Sequence, residues 1–381
     1  MKPLRKDELS RARILIRTPN WIGDAVMCLP ALRALRSALP DAELVLVARP
    51  WVIELFPKEE LRCRTIAYDA YGVHRGITGR YRIATDLRKG RFQGAILFQN
   101  AFDAALLALL AGTPIRAGYA RHGRRLLLTH PVDVPRTGET PSHESHYYLE
   151  LLRRLGLIES YPEVREISLP HSSGARERAR ARLAQLEAEH SAAATRREKL
   201  SSLEGKPVIG ISPGAAFGTA KRWVPERFAE LARRLDRELD AVPVFFGSKD
   251  EALLAESLVP DAGERCFSLA GRTSLSDFLH VIPGCDLYVT NDTGAMHVAA
   301  AFGVPTLAIF GPTDEQGTQP LGPRVQMIIG EADCRPCKLR HCPIDHRCMH
   351  SVSVDTVFEA ARSLLERPRN MGPSREKNYA R

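Results

Sequence analysis

The chain has 381 residues, of which 44% are hydrophobic and 26% are charged, so it is too long for one ordinary core and favours two domains. No window holds the roughly 18 apolar residues that a membrane-spanning helix needs, and no zinc-finger, RNP-type or basic-zipper signature indicates a nucleic-acid-binding protein. The formal net charge of +9 indicates attraction to a polyanion, which is nucleic acid, a phosphorylated small molecule or an anionic membrane face.

The N-terminal segment is basic, but it lacks a long apolar stretch and a small-residue cleavage site, which predicts a cytoplasmic protein. Four scattered cysteines have mostly apolar neighbours, so we expect reduced thiols that behave as small core residues. These are Cys28, Cys63, Cys266 and Cys285.

Short β-rich runs alternate with helical patterns through the N-terminal half, which predicts βαβ units on a parallel sheet. The strands are expected in ARILIRTP, AELVLVA, RCRTIAY and GAILFQN, and the helices in GDAVMCLPALRALRSAL and FDAALLALLAG. Asp24 lies where the first strand enters a Gly-bearing turn before a helix. There its carboxylate is either a cap or first-turn partner of the helix, or a candidate general base facing a cleft.

The charged, Ala-rich segment 173–205 is expected to be a largely solvated helical linker. After it the alternation resumes with strands in PVIGISP, VPVFFGS, CDLYVTN and PTLAIFG, which predicts a second doubly wound unit over 206–366. The polar tail 367–381 is expected to be disordered.

The loop at residues 212–228 follows the strand PVIGI and is first Gly-rich and then cationic. Gly214 allows a close approach to the backbone, and Lys221 and Arg222 precede a helix that begins near Pro225. The residue order is not that of a Walker A loop, but glycine followed by mobile cations suits a diphosphate. The alternative is an ordinary strand-to-helix connection with exposed cations.

A second candidate anion site lies in VTNDTGAMHVAAAFGVPTLAIFGPT, residues 289–313. A buried strand is predicted to run directly into a helix with Asp292 at or near its N-cap, which leaves several backbone N–H groups pointing at one spot. Thr293 adds a hydroxyl, Gly294 lets an anion reach the backbone, and His297 lies one turn further on the same face. The alternative is that Asp292 only caps the helix and His297 packs with a satisfied hydrogen bond.

The other four cysteines form a compact set with three histidines near the C-terminus. Cys-x-x-Cys is half of many zinc sites, but the second pair is spaced C-x5-C and the whole set is short. A structural loop of reduced thiols is therefore the default expectation, and a structural zinc or a redox-sensitive loop is the alternative. The residues are Cys334, Cys337, Cys342, Cys348, His341, His346 and His350.

Four segments together resemble the lipopolysaccharide heptosyltransferases, and the resemblance covers nearly the whole folded chain: NWIGDAVMCLP, SPGAAFGTAKRW, TNDTGAMHVAAAFGVPTLAIFGPT and CRPCKLRHCPIDHRCM. The last segment is more like heptosyltransferase II than heptosyltransferase I. The resemblance implies an α/β fold of the GT-B type, with two doubly wound Rossmann-like domains facing a cleft. It implies an acceptor-binding domain over 1–172, a nucleotide-sugar-binding domain over 206–366, ADP-heptose as the donor, and no metal ion or other cofactor.

The same resemblance assigns site residues. The catalytic Asp of the family's Gly-Asp turn corresponds to Asp24, and the diphosphate-contacting Lys corresponds to Lys221, in the loop that also holds Gly214. The donor-contacting Asp-Thr-Gly-x-x-His element falls on Asp292, Thr293, Gly294 and His297. Three residues compete for the ribose contact, which stays unassigned: Lys249, Asp250 and Glu251.

The implied reaction is an inverting single displacement, in which Asp24 accepts the proton of the acceptor hydroxyl as that oxygen attacks the anomeric carbon. Lys221 and the helix N-terminus would meet the charge on the departing ADP. The implied acceptor is the anionic, phosphorylated inner core of lipopolysaccharide, which predicts peripheral contact with the inner face of the inner membrane and no nucleic-acid partner. Candidates for acceptor docking are Arg116, Arg121, Arg124 and Arg125.

Two alternatives stay open. The first keeps the fold and changes the donor or acceptor, including addition of the first heptose to Kdo-lipid A. The second is a nucleotide-sugar-binding protein without turnover, which is favoured if Asp24 is a buried N-cap facing away from the cleft. A dinucleotide oxidoreductase is disfavoured, because no strand is followed by G-x-G-x-x-G with an acidic residue about 20 positions later.

Overall fold

The computed structural model describes residues 4–190, 203–367 and 376–379, and the chain divides into two compact units, Met1–Val164 and Arg165–Arg381. Each unit is built on one parallel sheet, which confirms the predicted α/β class with two doubly wound sheets. The domain limits differ in detail from 1–172 and 206–366, since the first unit ends at Val164 and the helix within 173–205 belongs to the second unit.

The first sheet has the strand order β3-β2-β1-β4-β5-β6, and all neighbours are parallel. The chain runs from β1 to one edge, returns to β4 beside β1, and continues to the other edge. The switch point therefore lies at the carboxyl ends of β1 and β4, where open α/β sheets bind ligands. The strands are β1 (Arg13–Arg17), β2 (Glu43–Ala48), β3 (Cys63–Ala67), β4 (Gly94–Leu97), β5 (Ile115–Tyr119) and β6 (His130–Val132).

Helices of the first unit pack on this sheet through apolar faces, and Ile83 and Leu87 lie in one buried cluster with Leu15, Val45 and Leu97 from three strands. The helices are α1 (Lys6–Leu9), α2 (Ile22–Met27), α3 (Leu29–Ala38), α4 (Lys58–Leu61), α5 (Gly76–Lys89), α6 (Phe102–Leu110) and α7 (Glu144–Arg154). Short 3-10 turns lie at Pro50–Leu55 and Arg124–Leu127.

One predicted helix is two. The pattern GDAVMCLPALRALRSAL indicates a continuous helix, but the structure separates α2 from α3 at Cys28. Pro30 explains the interruption, because it has no N–H to donate to the carbonyl four residues earlier. The predicted strands of this half are confirmed as β1 to β4.

The second sheet has the order β13-β12-β11-β10-β7-β8-β9, again parallel throughout. Its switch point lies between β7 and β10, so the loops that follow these two strands meet at the same edge. The strands are β7 (Val208–Ser212), β8 (Val242–Phe245), β9 (Phe267–Ser268), β10 (Leu287–Asn291), β11 (Thr306–Phe310), β12 (Val325–Ile329) and β13 (Glu376–Tyr379).

The helices of the second unit bury large side chains against this sheet, and Trp223, Phe228, Phe245 and Phe358 belong to one core cluster. They are α8 (Ala175–His190), α9 (Pro225–Leu239), α10 (Ala252–Leu258), α11 (Leu275–Val281), α12 (Gly294–Ala301), α13 (Glu315–Thr318), α14 (Arg347–His350) and α15 (Val354–Glu366). Further 3-10 turns lie at Thr219–Lys221, Lys249–Glu251, Val259–Asp261 and Ile282–Gly284.

The segment 173–205 is helical as predicted at α8, but this helix is not largely solvated. Leu183 and Leu186 are buried, and Arg176 and Arg180 both pair with Asp286 at the start of β10. The basic residues thus anchor the helix to the sheet, a role that composition alone cannot reveal. Residues 191–202 lie outside the described residues.

The tail was expected to be disordered, and this is wrong for Glu376–Tyr379, which lie as an edge strand parallel to β12. An edge strand needs only backbone pairing, so a polar sequence can supply one. Residues 368–375 and 380–381 lie outside the described residues. Among the helices of the described part of the chain, none has the length and apolar character required to cross a membrane.

Candidate functional site

Asn291, the last residue of β10, anchors the loop that follows β7. Its buried side chain accepts a hydrogen bond from the Trp223 backbone N–H (2.9 Å) and donates to the carbonyls of Pro213 (2.9 Å) and Gly214 (3.0 Å). Only a side-chain amide offers both the acceptor and the donors that this requires. Asn291 therefore fixes the shape of the loop after β7 from the end of β10.

Lys221 and Asp292 form a buried ion pair at the same edge. The Lys221 Nζ lies 2.7 Å from Asp292 Oδ2, and the Thr313 hydroxyl donates to that oxygen at 2.6 Å. The Asp292 side chain is 5% exposed, and that of Lys221 is 13% exposed. Asp292 is not the helix cap, because α12 begins at Gly294 with Thr293 as its N-cap. The carboxylate instead holds an ammonium beside the N-terminus of that helix.

The start of α12 has no side-chain cap. Thr293 is extended at the N-cap and makes no side-chain capping bond, and its hydroxyl lies 3.2 Å from that of Thr290. Gly294 is the first helical residue. His297 is buried one turn later, on the same helix face as Thr293. The backbone N–H groups at the start of this helix are not bonded by a capping side chain, and such groups can bind an anion.

Gly214 has a role that the sequence did not predict. A Cβ at this position would overlap the carboxylate of Glu251, which is held by the Ser248 N–H (2.8 Å) and the Ser248 hydroxyl (2.9 Å). Glycine at this position leaves room for the close approach of the Glu251 side chain. Of the three residues that compete for the ribose contact, Lys249 and Asp250 are exposed, and Glu251 lies against Gly214 in the loop after β7.

The Cys-rich segment, residues 334–350, braces the loop after β7 and the loop after β11. Arg335 donates to the carbonyls of Gly311 (2.6 Å) and Thr313 (3.0 Å), while the Ala220 N–H donates to the carbonyl of Arg340 (3.0 Å). The Thr219 hydroxyl lies 3.1 Å from the Nδ1 atom of His341. These contacts give the segment a structural function next to Lys221.

The thiols of this segment are free, and burial, followed by the charges of the other three cysteines, raises the pKa of Cys348. Four thiols therefore lie in one neighbourhood. Within the described residues, no three His, Cys, Asp or Glu side chains are arranged to hold a metal ion. The zinc alternative gains no geometric support from this arrangement.

In the first unit, Asp24 lies in the first turn of α2, and the N-cap is Trp21 without a side-chain cap. Glu144, the first residue of α7, has a pKa raised to about 7 by burial and by the charge of Asp24, while Arg121 opposes the shift. The two carboxyl groups are therefore close enough for the charge of Asp24 to favour the protonated form of Glu144, which holds its proton near neutral pH. Such pairs are typical of acid–base sites.

The arginines that were candidates for acceptor docking have different surroundings. Arg116 donates to the carbonyls of Thr113 (2.6 Å) and Leu127 (2.7 Å), and the fully buried Arg124 donates to the carbonyl of Tyr119 (2.8 Å) and to Asn100 Oδ1 (3.1 Å). Burial lowers the pKa of Arg124 to about 10. Both guanidinium groups support the loop after β5, so the docking hypothesis is wrong for Arg124.

Arg121 and Arg125 are exposed. Arg125 pairs with Asp133 at 3.0 Å on the surface, an interaction of little energetic weight. The charge of Arg121 acts on Glu144, and Arg121 also forms a hydrogen bond with the Tyr147 side chain. Of the four arginines, Arg121 is thus the one that adjoins the carboxylate pair.

The family model for glycosyltransferase family 9 (heptosyltransferase) matches residues 80–347 of the chain. The chain belongs to this family. As a family 9 member it is a glycosyltransferase, and the resemblance seen in its sequence segments is confirmed.

This family 9 chain is 30% identical over 319 residues to lipopolysaccharide heptosyltransferase 2 of Escherichia coli strain K12, covering 83% of the chain and 87% of that relative. It is 26% identical over 360 residues to lipooligosaccharide heptosyltransferase 2 of Campylobacter jejuni serotype O:2, covering 93% and 98%. The solved structure of E. coli ADP-heptose LPS heptosyltransferase II matches with a TM-score of 0.72 and 26% identity, covering 93% and 98%. The GT-B type of two-sheet architecture is thereby confirmed.

Sequence reasoning missed three residues of these sites. Asn291 and Thr313 lie within a motif that was singled out, and a buried Asn at the carboxyl end of a central strand was an available signal for the first. Glu144 carried no such signal, because a Glu at the start of a helix is ordinarily a partner of the helix dipole.

Proposed function

We propose that the chain transfers heptose from ADP-L-glycero-D-manno-heptose to the inner-core heptose of lipopolysaccharide. The observation that carries the proposal is the Lys221–Asp292–Thr313 network beside the start of α12, in a chain of the heptosyltransferase family. An ammonium and helix N–H groups are the donors that a diphosphate needs. The names of the relatives supply heptose and the lipopolysaccharide core as the sugar and the acceptor class.

On the donor side, Lys221 and the N–H groups of Thr293 and Gly294 would bind the diphosphate, and Asp292 would hold Lys221 in position. These groups are fixed by Asn291 and by the Cys-rich segment before the substrate arrives, so little reorganisation is required as charge develops on the leaving ADP. Glu251, which lies against Gly214 in the loop after β7, is the candidate for the ribose contact.

On the acceptor side, Asp24 would accept the proton of the acceptor hydroxyl as its oxygen forms a bond to the anomeric carbon. The bond from that carbon to the β-phosphate oxygen breaks, and ADP leaves with the electron pair, which inverts the configuration. Glu144 retains its proton up to about pH 7, and a protonated neighbour leaves Asp24 as the carboxylate that takes the new proton.

Acceptor mass gives the direct test. The purified protein is incubated with ADP-heptose and mono-heptosylated Kdo-lipid A, with Asp24→Ala and the surface control Asp133→Asn alongside. We expect a gain of one heptose that disappears only with Asp24→Ala. A gain only with the unheptosylated acceptor would move the chain to the first transfer step, and no gain with either would contradict the proposed substrates.

The proposal places the enzyme in the cytoplasm, in peripheral contact with the inner face of the inner membrane, where a phosphorylated glycolipid would be met. The net charge of +9 supports attraction to an anionic surface. In liposome flotation we expect greater recovery with anionic than with neutral lipid, and equal recovery would contradict an electrostatic attachment.

A further inference from the structure

Two buried arginines lie at the carboxyl edge of the first sheet. Arg17 ends β1 and is fully buried, and Arg49 follows β2 and is 7% exposed. Arg17 donates to the carbonyls of Thr18 (2.8 Å) and Val47 (3.1 Å) and to Asn20 Oδ1 (2.8 Å). Arg49 donates to the carbonyl of Tyr68 at 3.3 Å. The loop that holds Arg17 continues directly into the turn of Asp24.

The positive charges of Arg17 and Arg49 are not matched by ion pairs within the described part of the chain. Among the described residues neither guanidinium pairs with a carboxylate, and the Nε atoms of both are buried without a hydrogen-bond partner. Asp103 is nearby, but its carboxylate accepts from Arg80 (2.7 Å) and from the Tyr68 hydroxyl (2.7 Å). Burial and the charge of Arg49 lower the pKa of Arg17 to about 9. Buried charges without partners are costly, and an incoming anion would offset that cost.

Exposed aromatic rings surround Arg49. Its Cζ lies 4.8 Å from the ring centroid of Tyr71 and 5.6 Å from that of Trp51. The two rings stack with centroids 6.2 Å apart and planes inclined by 17°, yet they are 75% and 40% exposed. The Trp51 indole N–H donates to the Asn20 carbonyl at 2.9 Å, which fixes the ring against the loop of Arg17. Grouped exposed aromatics mark binding surfaces, and their flat faces suit the C–H face of a sugar ring.

We propose that Arg49, Trp51 and Tyr71 form an acceptor subsite for an anionic sugar, in which Arg49 meets its carboxylate or phosphate, the rings meet its apolar face, and the fully buried Arg17 adds positive charge beside Arg49 without touching the sugar. This inference rests on the proposed function and names the part of the acceptor that the first unit recognises. The donor diphosphate has its own cation and helix start in the second unit. Asn20, which contacts both Arg17 and Trp51, lies in the loop that leads to Asp24, so a group bound here lies next to the candidate base.

The test compares Arg49→Met with a matched surface control, Arg64→Met, whose guanidinium forms only an exposed contact of 3.7 Å with Glu43. Steady-state transfer is measured with heptosylated Kdo-lipid A. We expect Arg49→Met to raise the acceptor KM on the order of 10-fold or more, as the loss of a charge-assisted hydrogen bond implies. The donor KM and kcat should stay within about twofold. An unchanged acceptor KM, or an equal rise in the KM of both substrates, would overturn the subsite.

Two acceptor forms distinguish the sources of the anion, one lacking the core phosphate and one with the Kdo carboxylate esterified. The acceptor KM of Arg49→Met should exceed that of the wild type for every acceptor that retains the recognised group. The two KM values should be equal for the acceptor that lacks it. If the two proteins differ equally on all forms, Arg49 does not recognise an anion.

Calorimetry with the delipidated, phosphorylated inner-core oligosaccharide separates this inference from the proposed function. If Arg49→Met binds the oligosaccharide more weakly than the wild type, but the wild type transfers no heptose, the subsite is supported and the proposed transfer is contradicted. Equal binding would remove the subsite. Should Arg49→Met fail to fold, Trp51→Ala at the exposed ring tests the same subsite, with the same expected rise in acceptor KM and no change for the donor.

Discussion

Charged groups of the two units are balanced differently. In the second unit Lys221 is paired with Asp292. Asn291 and Arg335 form hydrogen bonds with the loops that carry the candidate site. In the first unit Arg17 and Arg49 form no ion pair with a carboxylate in the described chain, and the charge of Asp24 helps to raise the pKa of Glu144. The candidate site of the second unit is thus organised before its ligand arrives, whereas the first unit has charges that a bound anion would balance.

The largest effect on activity is expected from a change at Asp24. Asp24→Asn keeps the shape and removes the base, so we expect kcat to fall on the order of 10²-fold or more, with little change in the binding of donor or acceptor. Single-turnover transfer measures the chemical step, and Asp133→Asn is the surface control. A variant that turns over at nearly the wild-type rate would remove Asp24 from the role of base.

Lys221→Met tests whether the preorganised pair serves the donor. Loss of the ammonium should weaken ADP binding on the order of 10-fold, because charge-assisted contacts to phosphate are among the stronger ones. Asp292→Asn keeps the ammonium and should weaken binding less. Calorimetric titration with ADP gives both values, and an unchanged affinity for Lys221→Met would reduce the pair to a structural role.

Asn291→Ala should lower the stability of the folded protein as well as its affinity for ADP. The truncation leaves the Trp223 N–H and the carbonyls of Pro213 and Gly214 without their buried partner, which costs roughly 1–3 kcal/mol for a group left unsatisfied. Thermal unfolding should show a lower midpoint, and bound ADP should restore part of it because ligand binding stabilises the folded state. A midpoint equal to that of the wild type would show that water replaces the amide.

The sequence predicts the candidate site of the second unit better than that of the first unit. The candidate donor-site residues lie in two contiguous motifs, so the sequence alone singles out Lys221, Asp292 and Thr293. In the first unit Asp24 lies on α2 and Glu144, whose pKa its charge raises, lies on α7, and no spacing in the sequence joins them. Burial was equally out of reach, as Arg124 shows: a basic loop residue that predicts a docking site is in fact a buried support for backbone carbonyls.

A change confined to part of the pH range is expected from Glu144, which makes the stability of the protein depend on pH. In the folded protein its pKa is raised to about 7 from an ordinary 4.5, so between these values only the folded state holds the proton. Stability therefore falls as the pH rises through this window, and the penalty is fully present above about pH 7. Glu144→Gln carries no such charge and should be more stable than the wild type at pH 8, by on the order of 1–3 kcal/mol, and no more stable at pH 4.5.

Glu139→Gln is the matched control with the opposite sign. The Arg136 backbone N–H and then Arg154 lower the pKa of Glu139, so its carboxylate favours the folded state at pH 8 and loses that contribution as the pH falls. Thermal unfolding of both variants from pH 4.5 to 8 should give differences from the wild type that diverge as the pH rises. If the Glu144→Gln difference is the same at every pH, the carboxyl is not held protonated beside Asp24, and the first unit lacks the unbalanced pair that distinguishes it from the second.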